Sequence, residues 1–318
     1  MNLYEETKRL WTPERAELAD RWGREVEHGL SALGKASEKF NEPRPFRFYV
    51  AVGSVSKSGK GGKPTFSLRY LGQEVATVTV GDEPLLKVSA EHERTNRDYF
   101  EIATPAGKCA WRSAAATRFR AAFRKATSPG VPKSEEHKLE AQILKELEKE
   151  DGKTKFAGTL RNVRHCGLTR HEYPLQVPVP ISGSSGAPKA TRGNIDILAR
   201  RGVGRGTFLS VWELKRPGEI QAALAQAYIY AVSVILMLRG KQGAAWYRNF
   251  QFTGSIPKNL HVEAVAVLTE DQAAELKTAH AQLIKESPLE LPAELARISL
   301  HAAFYDPKRL SIRWEELS

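Results

Sequence analysis

The segment from Thr207 to Lys215, with the sequence TFLSVWELK, constrains the fold most, because it joins a hydrophobic run to a charged end. A continuous apolar run of this kind is typical of a central strand that is buried on both faces. Glu213 and Lys215 are two positions apart, so their side chains point to the same face of that strand. Burying either group alone is unfavourable by several kcal/mol. We therefore expect a partner for each: the other member of the pair, an acid on a neighbouring strand, or a metal ion.

The preceding segment supplies such an acid. Gly193 to Arg200, GNIDILAR, alternates apolar residues with Asp196, and the glycine-rich stretch from Arg201 to Gly206 is predicted to be a hairpin turn. Neighbouring strands lie about 4.8 Å apart, so Asp196 and Glu213 are expected to meet. Two carboxylates at that distance repel each other unless they share a proton or a cation. A donor set made only of oxygen atoms suits Mg²⁺ or Mn²⁺ rather than zinc.

Two predicted helices carry further polar residues. The amphipathic helix that begins at residue 134 carries Glu140 as the candidate acid, with Glu136 as the alternative. The helix that follows the charged strand carries Gln226 and Tyr230, which are one turn apart and share a face. Two long polar groups in an otherwise apolar helix need partners, and carboxylates or a phosphate backbone would serve. Core packing with satisfied polar ends is the alternative interpretation of this pair.

Taken in order, these elements resemble the PD-(D/E)XK nuclease superfamily: a helix with a glutamate, Asn-Ile-Asp, Trp-Glu-Leu-Lys, and a helix with Gln-x-x-x-Tyr. The last helix is similar to that of the RecB-like branch. The resemblance implies an α/β fold, with a restriction-endonuclease-like mixed sheet flanked by helices. It predicts further strands at His261 to Leu268, Ile298 to Tyr305 and Leu310 to Trp314. The sequence departs from the family pattern after Pro180, where the usual acid is missing, so Asp196 must supply it alone.

The resemblance also implies a metal site. Asp196 and Glu213 would bind Mg²⁺ or Mn²⁺, and the Leu214 carbonyl would complete the shell. Glu140 would hold the metal or its water from the first helix. Whether one or two metals act is left open.

The same resemblance implies a mechanism and a substrate. Lys215 would orient or help deprotonate the attacking water, while Gln226 and Tyr230 would position Lys215 or the scissile phosphate. The activity implied is that of a Mg²⁺-dependent endonuclease that hydrolyses phosphodiester bonds, with DNA favoured over RNA. By analogy alone, restriction, repair or phage defence is the expected setting. A homodimer fits this activity, because cutting two strands needs two sites.

The first part of the chain predicts a separate α+β domain. Residues 3–40 have helical spacing, with a break before Pro13, and residues 46–102 are predicted to form an antiparallel meander whose last strand is Asp98 to Ile102. The stretch from Ser128 to Pro132, SPGVP, is expected to separate two domains. We therefore predict an N-terminal domain over residues 1–130 and a nuclease-like domain over residues 134–318. The N-terminal domain would bind nucleic acid or a partner protein, or regulate the second domain.

Positive charge is concentrated after the meander, where no acidic residue occurs between Ile102 and Ser134. The chain has 48 Lys and Arg against 37 Asp and Glu, a net charge of +11, and such a balance favours polyanionic partners. A predicted helix here is the candidate nucleic-acid surface. Its basic residues are Arg112, Arg118, Arg120, Arg124 and Lys125. The alternative is a solvated surface helix that binds nothing.

Several short segments allow other interpretations, which are less favoured. Residues 56–63, SKSGKGGK, have Gly61 at the position where a phosphate-binding loop has its serine or threonine, so a flexible basic hairpin loop is expected. His165, Cys166 and His171 lie close together, but their spacing matches no standard zinc finger. Two cysteines cannot form a disulfide framework, which favours a cytoplasmic protein. The apolar run from Ala227 to Leu238 is shorter than the roughly 20 residues of a membrane span, so a buried helix and no membrane are expected.

Two functions compete with the nuclease. The first is a catalytically inactive nuclease-fold module that binds nucleic acid or a protein. The second is a basic RNA-binding protein with no nuclease ancestry, in which Glu140, Asp196 and Glu213 would not converge.

Overall fold

The computed structural model describes residues 2–37, 46–51, 65–125, 135–147, 162–168, 173–215, 218–306 and 311–317. The chain divides into two compact units. The larger unit comprises residues 1–24, 144–166 and 176–318, and the smaller unit comprises residues 25–143 and 167–175.

Runs of helices and runs of strands follow one another along the described chain, which makes this a mixed α/β protein. The helices are α1 (Leu3–Leu10), α2 (Pro13–Ser37), α3 (Ala90–Phe100), α4 (Ala114–Lys125), α5 (Glu135–Leu147), α6 (Ile220–Arg239), α7 (Gly243–Asn249) and α8 (Leu276–Glu286). The strands are β1 (Phe46–Ala51), β2 (Thr65–Tyr70), β3 (Gln73–Thr79), β4 (Leu85–Lys87), β5 (Lys108–Ala110), β6 (Val163–His165), β7 (Gly167–Leu168), β8 (Tyr173–Gln176), β9 (Pro178–Val179), β10 (Gly193–Asn194), β11 (Ile197–Arg201), β12 (Phe208–Leu214), β13 (His261–Thr269), β14 (Arg297–Asp306) and β15 (Ser311–Glu316).

The sheet of the smaller unit has the strand order β5-β4-β3-β2-β1-β8-β7 among the described residues. Each of β1 to β4 pairs antiparallel with the next strand along the chain, so the predicted meander is confirmed. Its core is an aromatic cluster whose neighbouring rings lie 4.8–5.5 Å apart, in the range favoured for aromatic pairs. The cluster is formed by Phe46, Tyr70, Phe100, Phe119 and Phe123.

The strand predicted at Asp98 to Ile102 is wrong, because this segment belongs to helix α3 and the turn that follows it. Ser89 caps the helix: its Oγ accepts the His92 backbone N–H at 3.2 Å, and the His92 ring accepts the Ser89 N–H at 3.3 Å. Such a reciprocal cap satisfies donors that a helix start leaves unpaired. The local cap therefore outweighs the strand-like spacing of the sequence.

The sheet of the larger unit has the order β15-β14-β13-β12-β11-β6 and is mixed. Strands β12, β13 and β14 are parallel to one another, whereas β11 runs antiparallel to β12 and β15 antiparallel to β14. Parallel neighbours need long crossovers, and α6 with α7 provides one while α8 provides the next. The three strands predicted near residues 261, 298 and 310 are confirmed as β13, β14 and β15.

Helix α6 packs on β12 and β13 and is the core helix of this unit. By length and composition it is the one helix in the described chain that could cross a membrane, but 83% of its most apolar window is buried inside the protein. Its apolar surface on every side is therefore explained by burial within the fold, as the sequence predicted.

The two units do not follow the boundary predicted near residue 130. Residues 1–24 belong to the larger unit, where the Trp246 indole N–H donates to the Ala19 carbonyl at 3.0 Å and the Gln242 N–H donates to Asp20 Oδ1 at 2.9 Å. Most of α5 belongs to the smaller unit instead. Residues 128–132, where the boundary was expected, lie outside the described residues.

Candidate active site

The hairpin of β11 and β12 brings Asp196 to the end of β12. Ile197 is the register partner of Trp212, so Asp196 lies just beyond the paired residues. Its Oδ2 accepts the Leu214 backbone N–H at 2.8 Å. The turn between the strands is possible because Gly202 and Gly204 take positive φ values of 107° and 58°. The sequence-predicted meeting of the two strand ends is thus made by a side-chain hydrogen bond.

Glu213 and Lys215 form an ion pair on one face of the strand, as their two-residue spacing predicted. Lys215 Nζ lies 2.7 Å from Glu213 Oε1 and also donates to the Leu214 carbonyl at 3.3 Å. Glu213 is only 1% exposed, and the Lys215 side chain is 14% exposed. A carboxylate so deeply buried needs a cation beside it, and the ammonium supplies that charge.

Helix α6 adds Gln226 and Tyr230 to this group. Gln226 Nε2 donates to Tyr230 Oη at 3.1 Å, and both side chains are buried. The pKa of Tyr230 is raised to about 12, first by burial and then by the nearby negative charge of Glu213, with a smaller effect from Asp196. The tyrosine hydroxyl therefore lies within the electric field of both acids.

Two glycines that the sequence prediction missed make room for these side chains. A Cβ at Gly193 would lie 2.5 Å from Tyr230 Oη, and a Cβ at Gly183 would lie 3.0 Å from Gln226 Cγ. Gly193 stands directly before the Asn-Ile-Asp motif, and a glycine at that place is the signal in the sequence for a close approach.

Glu140 belongs to the smaller unit, whereas the other acids belong to the larger one. It is buried, and Arg69 Nη1 lies 3.2 Å from its Oε2. Glu136, the alternative acid, is half-buried. A role for either acid at a metal stays a prediction.

The donor chemistry of the larger unit fits a divalent cation. The Asp196 and Glu213 carboxylates and the Leu214 carbonyl are hard oxygen donors of the kind that Mg²⁺ prefers. The Lys215 ammonium already contacts two of these three groups, so positive charge is stabilised at this place. Within the described ranges, no group of three or more His, Cys, Asp or Glu side chains is arranged to hold a metal.

The environment of the Cys166 thiol does not support the hypothesis that His165, Cys166 and His171 bind zinc. Cys166 is buried, its Sγ lies 3.5 Å from the Phe250 carbonyl as a donor, and burial raises the pKa of the thiol to about 12. Zinc binds the thiolate, which is disfavoured here. His171 lies outside the described residues, as does the basic loop at 56–63.

The basic segment of the smaller unit is mostly exposed. Arg112, Arg118, Arg124 and Lys125 face solvent. Arg120 differs, because it is 5% exposed, stacks 3.8 Å from the Trp111 ring and donates to the Trp111 carbonyl at 2.8 Å. Its guanidinium contacts Trp111 inside the smaller unit, so it is not part of an exposed surface.

Arg118 and Lys125 also line a groove of about 690 Å³. Its other wall is formed by residues 100–105, part of which was predicted as a strand. The groove lies entirely within the smaller unit, so these two exposed cations line a concave surface.

Comparisons with known proteins add no relative to this description. No protein-family model, no curated protein and no solved structure matches the chain. The functional interpretation therefore rests on the side-chain geometry described above.

Proposed function

We propose that the chain is a metal-dependent nuclease of the PD-(D/E)XK type, with a restriction-endonuclease-like domain in the larger unit. The observation that carries this proposal is the meeting of Asp196, Glu213 and Lys215 at the end of one hairpin. Asp196 bonds the Leu214 N–H at 2.8 Å, and Lys215 bonds Glu213 at 2.7 Å. Two carboxylates can hold a hard cation next to a phosphodiester, and a lysine beside them can orient a water molecule there.

Asp196, Glu213 and the Leu214 carbonyl would hold Mg²⁺ or Mn²⁺. When bound, the metal supplies charge stabilisation at the phosphate and at the departing oxygen. Lys215 provides a fixed positive charge beside Glu213, where it can orient the attacking water.

Tyr230 and Gln226 contribute hydrogen bonds rather than charge. Because the Tyr230 pKa is about 12, the phenol stays protonated at neutral pH. Its oxygen accepts from Gln226 Nε2, so its own proton is available for a third partner such as a phosphate oxygen. Gln226 Oε1 accepts no hydrogen bond within the described part of the chain.

DNA is the favoured substrate, and exposed cations of the smaller unit would contact its phosphate backbone. The exposed cations of this surface are Arg112, Arg118, Arg124 and Lys125. Arg120 is left out because of its internal contacts with Trp111. A cytoplasmic role in restriction, repair or phage defence, and a homodimer or a partner protein, belong to the same proposal by analogy.

The test is a cleavage assay on plasmid, linear duplex, single-stranded DNA and RNA, with Mg²⁺, Mn²⁺ or EDTA. We expect metal-dependent cleavage that falls by about 10²-fold or more in Glu213→Gln and Lys215→Ala. Lys258→Ala removes an exposed charge elsewhere in the larger unit and should cleave like the wild type. Cleavage at wild-type rate by both site variants, or none by the wild type on any substrate, would overturn the proposal.

An inactive binding module is the second candidate. The observation in its favour is that Lys215 already contacts Glu213 and the Leu214 carbonyl, which are two of the three groups expected to hold the metal. Such a protein would bind nucleic acid equally well after Asp196→Ala and would show no metal-dependent cleavage before that change.

A further inference from the structure

A buried polar row crosses the larger sheet on the face opposite to Glu213. Ser210 on β12, Glu263 on β13 and Ser299 on β14 are register partners. All three are 2% exposed or less. The alternate residues Val211 and Ala264 are apolar and point to the other face. Buried polar rows are unusual in a sheet core, so this one needs an explanation.

This polar face opens into a cavity of about 390 Å³. The cavity is lined from β11 to β15, by polar residues and by the aromatic side chains of Phe208 and Trp314. Its volume lies within the roughly 300–1,000 Å³ of small-molecule sites. The site is therefore large enough for a compact ligand of nucleotide size.

A hydrogen-bond chain runs along one wall. The Trp314 indole N–H can only donate, and it donates to His301 Nδ1 at 2.8 Å. A neutral His301 must then carry its proton on Nε2, which lies 3.1 Å from Ser299 Oγ and 3.4 Å from Glu263 Oε1. Ser299 Oγ also lies 2.8 Å from His261 Nε2, and either of these two atoms can be the donor.

Both histidines are neutral at pH 7. Burial lowers the pKa of His301 to about 4, and the positive charge of Arg201 acts in the same direction. Burial also lowers the pKa of His261, with a further effect from Arg297. The His301 tautomer assigned above therefore applies at neutral pH.

Glu263 supplies an acceptor on the floor of the cavity. Arg201 Nη1 lies 2.5 Å from Glu263 Oε1. Glu263 Oε2 is buried and accepts no hydrogen bond from the described residues. Burial raises the pKa of this acid in spite of Arg201. A buried acceptor of this kind is expected to meet a donor from a ligand.

The mouth of the cavity has a cation at one end and an anion at the other. Arg297 is the register partner of His261, and Glu316 is the register partner of His301. Arg297 and His301 are four positions apart along β14, a span of about 13 Å. Arg297 and Glu316 are exposed, and neither forms an ion pair in the described part of the chain. An anionic group thus fits the His261 end, beside Arg297.

We propose that this cavity binds a mononucleotide whose base carries an amino group. Its phosphate would contact Arg297, and its base amine would donate to Glu263 Oε2. The base would lie against the aromatic side chains of Phe208 and Trp314. A ligand with one anionic end, a flat ring and an exocyclic amine matches the exposed Arg297 cation, the aromatic walls and the buried Glu263 acceptor.

The site is separate from the proposed nuclease centre. Glu213 lies three positions after Ser210, about 10 Å along the strand, and points to the opposite face. The inference therefore goes beyond the proposed function and does not depend on it. It would stand even if the protein cleaved nothing.

Calorimetric titration of the full chain tests the proposal. The solution contains EDTA, which keeps metal away from the Asp196 centre. The ligands form two matched pairs that differ in the base amine: adenosine with inosine monophosphate, and cytidine with uridine monophosphate. At least one amino-bearing member should bind, and its partner should bind about ten-fold more weakly, because a carbonyl oxygen then faces the Glu263 carboxylate in place of the amine.

Three variants locate the binding. Arg297→Ala changes an exposed side chain, so the fold should survive, and affinity should fall about ten-fold. Lys277→Ala, which removes an exposed charge on α8, and Glu213→Gln, in the other site, should leave affinity unchanged. Equal binding within both pairs, no binding of any nucleotide at millimolar concentration, inorganic phosphate binding equally tightly, or an unaffected Arg297→Ala would overturn the proposal.

Discussion

Among single residues, Glu213 is the most demanding, because its carboxylate is almost fully buried. The Lys215 ammonium at 2.7 Å neutralises it. In such a pair the loss of one partner is more harmful than the loss of both, because a lone buried charge is left behind. The pair therefore has a role in stability as well as in the proposed chemistry.

We expect Lys215→Met to lower the free energy of unfolding by about 3–5 kcal/mol, because the buried Glu213 carboxylate then loses the ammonium beside it. The double variant Glu213→Gln with Lys215→Met should recover a large part of that loss. Urea denaturation of the two single variants and the double variant measures the coupling. Additive changes in free energy would show that the two side chains do not depend on each other.

His301 gives a second prediction at this scale. Its pKa is about 4 in the folded protein and about 6.5 when unfolded, so between these values the unfolded chain binds more protons. The free energy of unfolding should therefore decrease as the pH falls from 6.5 to 4, by at most about 1.4 kcal/mol per pH unit for this one group. Glu263, whose pKa is raised, acts in the opposite direction, and His261 acts in the same direction.

The comparison with His301→Gln isolates this contribution, because His261, Glu263 and Glu316 are kept. Denaturation between pH 4 and pH 7 should give a flatter pH profile for the variant than for the wild type. Parallel profiles would mean that His301 does not titrate in this range.

Single residues could be predicted where a spacing rule applies. The two-residue interval of Glu213 and Lys215 predicts a shared face, and the contact is observed. Arg120 was assigned to the exposed basic set, but it is buried against Trp111. Charge alone does not tell whether a guanidinium is used inside the protein or on its surface, since an arginine buries readily when it stacks on an aromatic ring.

At the scale of elements, the close packing of α6 against β10 depends on a glycine. Gly193→Ala would place a Cβ 2.5 Å from Tyr230 Oη and 2.8 Å from the Ile181 carbonyl. Because one of these atoms is backbone, relief requires a shift of the helix or the strand. We expect destabilisation of about 1–3 kcal/mol, and a loss of the proposed nuclease activity if Tyr230 moves.

Gly206→Ala is the matched control, because nothing lies within 4 Å of the added Cβ and the backbone there does not need a glycine. Thermal melting compares the two variants. Equal melting temperatures would contradict the close approach of α6 and β10.

Elements with a long hydrophobic pattern were predictable, and short capped elements were not. Strands β13 and β14 follow from apolar runs that fill a buried sheet. Helix α3 is polar, with only Thr95, Asn96 and Phe100 buried, so its sequence has few apolar positions to set a period. Its start depends on the Ser89 cap, which a search for hydrophobic periodicity does not detect.

At the scale of the whole molecule, the division into units depends on contacts between distant parts of the chain. Trp246 bonds the Ala19 carbonyl, and a Cβ at Gly23 would lie 2.9 Å from the Trp246 indole nitrogen. More than 220 residues separate these partners in the sequence. Asp20 and Gln242, which also form a hydrogen bond, are 222 residues apart. Local pattern and composition carry no information on such pairs, so a boundary placed at a proline- and glycine-rich stretch missed them.

The net charge of +11 leads to the last prediction, which concerns binding to duplex DNA. Each lysine or arginine that neutralises a phosphate releases a counterion, so affinity falls with salt in proportion to the number of such contacts. Arg118 and Lys125 are exposed and line one groove. Replacing both by alanine should weaken binding to all sequences alike and make the slope of log K against log salt shallower by about 2.

Fluorescence anisotropy with a labelled duplex in EDTA, over a series of salt concentrations, measures this slope without cleavage. Lys258→Ala and Lys277→Ala together remove the same charge from exposed positions of the larger unit and serve as the control. If both double variants change the slope equally, the attraction comes from net charge rather than from the groove. If neither changes it, DNA binds elsewhere, because the counterions released in the wild type must then come from other side chains.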